Sequence, residues 1–174
     1  MTDFHRKPNR LPQDFYLGRR IYFVTICTRE RRSLFTHAGL VSLLLDVLRA
    51  ECSAHSFGDY AFCFMPDHLH LELVGLSNES NLLAMLRDFK GRSAAQARAH
   101  GVVGLWQKGF YDHILRSGEE LDAVAWYIFN NPVRAGLVEE MCEWPHSGSW
   151  MFDWKKLTAP AQGFVPPWKK VLAG

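Results

Sequence analysis

Two histidines, His68 and His70, stand one residue apart in the apolar run "FCFMPDHLHLELVG" over residues 62–75. Alternate side chains of a strand share a face, so both imidazoles aim at one point. Two convergent ring nitrogens make part of a divalent-cation site, and a further donor has to come from elsewhere in the chain. Tyr127 and Asn131, in "WYIFNNP", are four residues apart and therefore lie on one face of a helix. Laid against the strand, that face brings a carboxamide oxygen and a phenol to the two imidazoles, and the phenol is a group capable of nucleophilic attack. Each signal also has a plainer reading. A His-x-His pair on a strand is more often satisfied by hydrogen bonds than by a metal. A tyrosine on an amphipathic helix is more often core with its hydroxyl bonded at the rim, and an asparagine before Pro132 more often ends a helix. A structural zinc site is disfavoured, because no cysteine pair accompanies the histidines.

The elements that must position these groups follow from the apolar pattern. "RRIYFVTICT", residues 19–28, alternates and is rich in aromatic and β-branched side chains, which predicts a strand. "HAGLVSLLLDVLRAECSAH", residues 37–55, repeats its apolar positions at helical spacing and predicts a helix. "DYAFCFM" and "HLHLELV" predict a β-hairpin turning at Met65-Pro66-Asp67, with the histidines at the start of its second arm. Ser77 to Ser80 are candidate caps for a helix over residues 81–100, in which Gly91 is a candidate kink. A glycine-punctuated loop leads to a strand in "FYDHILR". After Ser117, "GEELDAVAWYIFNNPVRAGLV" predicts a helix that ends at Asn130-Asn131-Pro132. The last 35 or so residues read as wrapping segments and a tail. The order β-α-β-β-α-β-α is that of an α+β, ferredoxin-like split βαβ fold, a central antiparallel sheet flanked by helices, with an added C-terminal helix that carries Tyr127.

A chain of 174 residues suits one domain over 1–174, with a core at about 15–150 and a tail at about 151–174. Its apolar runs are short and interrupted, well below the ~20 residues of a membrane span. The polar, basic start shows no secretory signal, so a cytoplasmic location is expected. Cys27, Cys52, Cys63 and Cys142 are scattered and read as reduced, buried small residues. Net charge is only +2, but its distribution is uneven. Residues 1–32 hold eight Lys/Arg against three Asp/Glu, and residues 87–116 hold six against two. Two basic segments brought together by the fold would make a phosphate-binding face; scattered, they are solvated surface charge. The candidates are Arg6, Lys7, Arg10, Arg29, Arg31, Arg32, Lys90, Arg92 and Arg116. Such cations position a nucleic acid without reading it, and aromatics such as Phe15, Tyr16, Trp106 and Phe110 are candidates for stacking on unpaired bases.

"MPDHLHLELV", "LWQKGFYDHILRS" and "YIFNNPVRAGLV", in this order and at these separations, resemble the motifs of the REP-associated tyrosine transposases. These belong to the IS200-like transposases, single-tyrosine enzymes with a His-hydrophobic-His metal motif. The resemblance runs from "RRIYFVTICTRERRSLF" to "WPHSGSW", most of the chain. It implies that His68 and His70 bind Mg²⁺ or Mn²⁺, that Tyr127 is the nucleophile, and that Asn131 stands where the third metal ligand belongs, a position often filled by glutamine in more distant relatives. It places Asp112 and His113 in a family motif, as groups that orient the tyrosine or a metal ligand, although a plain pairing at a strand edge accounts for them equally well. The implied activity is cutting and rejoining of single-stranded DNA at repetitive extragenic palindrome hairpins through a 5′-phosphotyrosine intermediate, in a bacterial, nucleoid-associated setting. A monomer is expected, more than a homodimer.

Two other readings stay open on the sequence alone. One is a phosphodiesterase that uses water, with Tyr127 structural; the other is a hairpin-binding regulator whose metal site has lapsed. The tail "PAQGFVPPWKK" is a candidate autoinhibitory segment lying across the sheet, or else an unstructured end.

Overall fold

In the computed structural model, residues 11–116, 121–161 and 163–170 are described. Five antiparallel strands form one sheet in the order β4-β1-β3-β2-β5. They are β1 (Ile21–Cys27), β2 (Phe57–Met65), β3 (His68–Gly75), β4 (Tyr111–Ile114) and β5 (Ser147–Gly148). The helices are α1 (Ala38–Ala54), α2 (Leu82–Ala99), α3 (Leu121–Phe129) and two single turns, α4 (Asn131–Arg134) and α5 (Pro167–Lys170). The expected order β-α-β-β-α-β-α is present, and the short β5, which pairs with β2 at Phe62 and Cys63, is added to it.

The period of two along β3 divides its side chains between two cores. Leu69, Leu71 and Leu73 join Val24 and Ile26 of β1 and the apolar stripes of α1 (Val41, Leu44, Leu48) and α2 (Leu82, Met85, Leu86, Phe89). The opposite face holds Phe23, Ala61, Cys63 and Met65 beneath Val124, Tyr127 and Ile128 of α3. The histidines of β3 belong to this second face, across from Thr25 and Cys27 of β1 and from Cys63 and Met65 of β2. A one-residue slip of register would send them into the leucine core, so burial of those leucines, worth roughly 1.5–3 kcal/mol each, fixes where the imidazoles point.

Three details differ from the expectations. The cap of α2 is Asn81, whose side-chain oxygen accepts from Ala84 N–H at 3.0 Å; Ser80 is turned to the Ser56 carbonyl instead. Gly91 does not kink α2, which runs unbroken from Leu82 to Ala99. It is exposed, and the buried Phe89 and Ser93 on either side anchor the helix, so tertiary packing overrides the glycine's low propensity. The end of α3 falls where Asn130-Asn131-Pro132 predicted it, after Phe129. Beyond it Pro132 occupies a first-turn position where its missing N–H costs nothing, and the single turn α4 closes with Arg134 N–H to Asn130 C=O (3.0 Å). Lastly, Cys52 and Cys63 are buried as expected, but Cys27 is half-buried and Cys142 exposed.

Candidate active site

His68 and His70 come together as the spacing predicts. Their Nε2 atoms stand 3.1 Å apart, with the rings nearly perpendicular. The far nitrogens are tied down: His68 Nδ1 lies 2.6 Å from Asp67 Oδ1, and His70 Nδ1 lies 2.8 Å from Thr25 Oγ1. With Nδ1–H given to these partners, the Nε2 atoms, which meet each other here, are the ones turned to a cation site. At this spacing both nitrogens can reach one divalent cation.

The charge around the pair is arranged to keep it that way. Burial first, then the neighbouring His68, Arg134, Arg31 and Lys169, hold the His70 imidazole well below its usual range, hence neutral. Burial alone would raise the Asp67 carboxyl; the hydrogen bond and charge of His68 and the charge of Arg31 outweigh it and leave that carboxyl below the usual range. Arg31 Nε sits 3.2 Å from Asp67 Oδ2, which closes a chain from guanidinium to carboxylate to imidazole.

A cleft of about 420 Å³ opens over the histidines, walled by Arg31, Asp67, His68, His70, Asn131 and Arg134 among others. Asn131 is thus brought to the pair. Its Nδ2 donates to the carbonyls of Tyr127 (3.0 Å) and Ile128 (3.2 Å), which fixes the carboxamide and leaves Oδ1 without a hydrogen bond among the described residues.

Tyr127 is beside the cleft, not in its wall. It is only 3% exposed and packs edge-on against Phe23 at 6.2 Å, and Phe23 in turn stacks on His70 at 5.4 Å. Its hydroxyl makes no hydrogen bond among the described residues. Two cations lie over its ring, Arg134 at 4.5 Å and Lys169 at 5.4 Å. The tail covers it: Phe164 and Trp168 meet the ring at 6.2 and 5.8 Å, and Trp168 also stacks on Phe23 at 4.2 Å. His113 lies under the same tryptophan, 5.0 Å away. Asp112 accepts from Tyr16 Oη at 3.2 Å, a bond that ties β4 to the segment before β1.

The basic candidates separate by position. Arg31 belongs to the cleft. Arg32 donates to the carbonyls of Val103 and Gly104, and Lys90 to those of Gln107 (2.8 Å) and Gly109 (2.7 Å), so both pin the 103–109 loop. Arg92 pairs with Glu51 at 2.8 Å between α1 and α2, on the layer opposite the histidines. Arg29 and Arg116 are exposed near the ends of β1 and β4. Arg6, Lys7 and Arg10 lie outside the described residues. Of the aromatics, Phe15 is exposed with Arg20 over its ring, whereas Tyr16 is core and Trp106 donates to Ser93. A second cluster, Glu51, His55 and Asp88, gathers three ligand atoms within 4.8 Å of one another. Arg92 and Arg87 already balance its two carboxylates.

Sequence reasoning missed Asp67, Thr25 and Arg134, and it named the tail that holds Phe164 and Trp168 without those two side chains. Arg134 had a signal, since it follows Tyr127 by seven and Asn131 by three, the spacing of one helical face. Thr25 had none, because only the β1–β3 register brings it to His70.

The family model described as "Transposase IS200 like" matches residues 19–131. The chain belongs to the IS200-like transposases. It is accordingly an enzyme of DNA transposition, and among the described residues no helix is long and apolar enough to cross a membrane. Over 146 residues it is 27% identical to a Haemophilus influenzae protein assigned provisionally as a REP-associated tyrosine transposase, covering 78% of this chain and 82% of that one. It is 24% identical over 148 residues to a REP-associated tyrosine transposase of Escherichia coli K12, covering 80% and 87%. A solved structure of a REP-associated tyrosine transposase bound to a REP hairpin superposes with a TM-score of 0.67 at 21% identity, covering 95% of this chain and all of that one. That likeness establishes the α+β fold of this IS200-like transposase.

Proposed function

We propose that this transposase nicks and rejoins single-stranded DNA beside a palindromic hairpin of the repetitive extragenic type, with Tyr127 as nucleophile and His68, His70 and Asn131 as holders of Mg²⁺ or Mn²⁺. The observation that carries the reading is the convergence of two Nε2 atoms at 3.1 Å, each imidazole tethered behind, in a cleft that Asn131 and two arginines complete. A cation bound there would offset the negative charge that gathers on the phosphate. The protein's own groups do the rest. Asp67 and Thr25 hold the imidazoles in place, and Arg31 and Arg134 make the cleft attractive to a phosphodiester. Tyr127 Oη attacks phosphorus as the bond to the 3′ oxygen breaks. The phenolic proton ends on that oxygen, giving a 5′-phosphotyrosine and a 3′-OH. One phosphate ester replaces another, so the reverse step with a new 3′-OH rejoins the strand without another energy source.

The hairpin substrate rests on what the relatives are named for, together with the unequal charge along the chain. Asp112 and His113 are assigned supporting roles, at the β4 edge and beneath the tail. Tyr127, Phe23 and His70 meet within one chain, so the site is complete in a monomer. The test is incubation of the full chain with a labelled genomic hairpin and Mn²⁺ or EDTA, resolved on a denaturing gel. A protein-linked band that needs metal and is lost in Tyr127→Phe is expected. Cut ends without an adduct would make the protein a hydrolase, and binding without cutting would make it a regulator.

A further inference from the structure

Arg134 differs from the arginines around it. Arg31 faces Asp67, Arg32 donates to two carbonyls, Arg87 holds Asp88 and Arg92 holds Glu51. Among the described residues Arg134 has no carboxylate partner and donates no hydrogen bond. It is exposed, and its position is set by the short helix that carries it. α4 carries it one turn beyond Asn131, into the wall of the histidine cleft, and its guanidinium carbon lies 4.5 Å over the ring of Tyr127. One side chain thus borders both the cation site and the tyrosine. A guanidinium offers five donors in a planar fork that matches two oxygens of a phosphate, and it keeps its charge at any working pH.

We propose that Arg134 is the phosphate clamp of this enzyme: it binds the non-bridging oxygens of the scissile phosphodiester at the mouth of the His68/His70 cleft while its stacking on Tyr127 aligns the nucleophile with the phosphorus. This deepens the reading of the site as a tyrosine transposase and rests on it. Asn131 and the histidines take one side of the phosphate and the guanidinium the other. Charge that grows on the equatorial oxygens during attack meets the guanidinium at the mouth of the cleft, where a positive donor lowers the barrier. Arg134 forms no covalent bond and moves no proton. The stacking also gives Tyr127 an orientation that its unbonded hydroxyl cannot supply.

The test uses the full chain with Arg134→Gln and Arg134→Lys. Thermal unfolding should stay close to the parent in both, and Mn²⁺ affinity, read by electron paramagnetic resonance, should not fall, since Arg134 is exposed and its loss removes a positive charge beside His70 and no ligand atom. The single-turnover rate of adduct formation on a hairpin should fall by about 10²–10³-fold in Arg134→Gln, with partial recovery in Arg134→Lys, which keeps charge but not the fork. A second arm measures binding of a short 5′-phosphorylated oligonucleotide as salt is raised. Loss of one phosphate contact should lower the slope of log K against log salt by about one in Arg134→Gln. An unchanged salt slope and affinity would overturn the clamp, and so would an unchanged adduct rate. If the parent forms no adduct on any hairpin, the tyrosine mechanism fails, and the binding arm still decides whether Arg134 holds phosphate.

Discussion

At the scale of single residues, the chemistry of the cleft depends on groups that touch no substrate. His68 is held in one orientation because Asp67 pairs with its Nδ1, and Asp67 is a charged acceptor because Arg31 and His68 keep its carboxyl ionised. Asp67→Asn keeps the size of the side chain but removes the charge and allows the amide to present N–H where a carboxylate oxygen stood. Partners behind a metal-bound histidine typically contribute 10–100-fold to affinity, so Mn²⁺ binding should weaken by about that factor in Asp67→Asn, with the unfolding temperature little changed. Titration followed by electron paramagnetic resonance checks it, and affinity equal to the parent would mean that the backbone alone orients His68. The histidine pair was legible in the sequence because a period of two is a local property of any strand. Asp67 was visible only as a turn residue, and Thr25, 45 positions away, is chosen by a register that no local pattern states.

At the scale of elements, nearly every strand and helix could be read in advance, because alternation and helical spacing are set by which face is buried. The misses were places where packing overrode a local preference. Gly91 is carried through by the buried side chains of α2, and past the end of α3 the chain adds the single turn α4, which no local pattern announced and which leaves Asn131 and Arg134 on the side of the cleft. Charge was legible in number and not in use, since Arg32 and Lys90 serve loop carbonyls and Arg92 a buried glutamate. The sheet also carries a buried acid with no stated function. Asp59 of β2 is 1% exposed, both its oxygens lack hydrogen-bond partners, and burial pushes its carboxyl well above the usual range. A folded-state pKa above the unfolded one means that, above pH ~4, the unfolded chain releases a proton that the native chain still holds. Stability from this group therefore declines as pH rises from about 4 towards the folded-state pKa. Asp59→Asn, which has no proton to lose, should gain stability relative to the parent at pH 8 and gain less at pH 5. Urea denaturation at the two pH values measures the difference, and an equal gain at both would show that Asp59 titrates alike in the folded and unfolded chain.

At the scale of the whole molecule, the C-terminal segment closes over Tyr127. Phe164 and Trp168 cover the ring of Tyr127, Trp168 lies between Phe23 and His113, and Lys169 adds a second cation to the tyrosine face. Aromatic side chains bury some 150–250 Å² each, so this cover is a real part of the second core. A phosphate approaching Tyr127 has to share that face with the tail or displace it. The cleft over the histidines is open beside it, so metal binding and access to the tyrosine are controlled separately. A chain truncated after Lys156 should then bind Mn²⁺ as the full chain does and form the tyrosine adduct several-fold faster, at some loss of thermal stability from the missing aromatic contacts. Trp168→Ala in the full chain tests the same contact without removing the backbone and should move the rate in the same direction by less. Adduct formation under single-turnover conditions, measured beside the unfolding temperature, separates the two roles that burial allows. A faster rate with a lower unfolding temperature makes the tail a cover over the nucleophile. A lower unfolding temperature with an unchanged or slower rate makes Trp168 a core residue that holds Phe23 and Tyr127 in place, and the tail would then support the active site without restraining it.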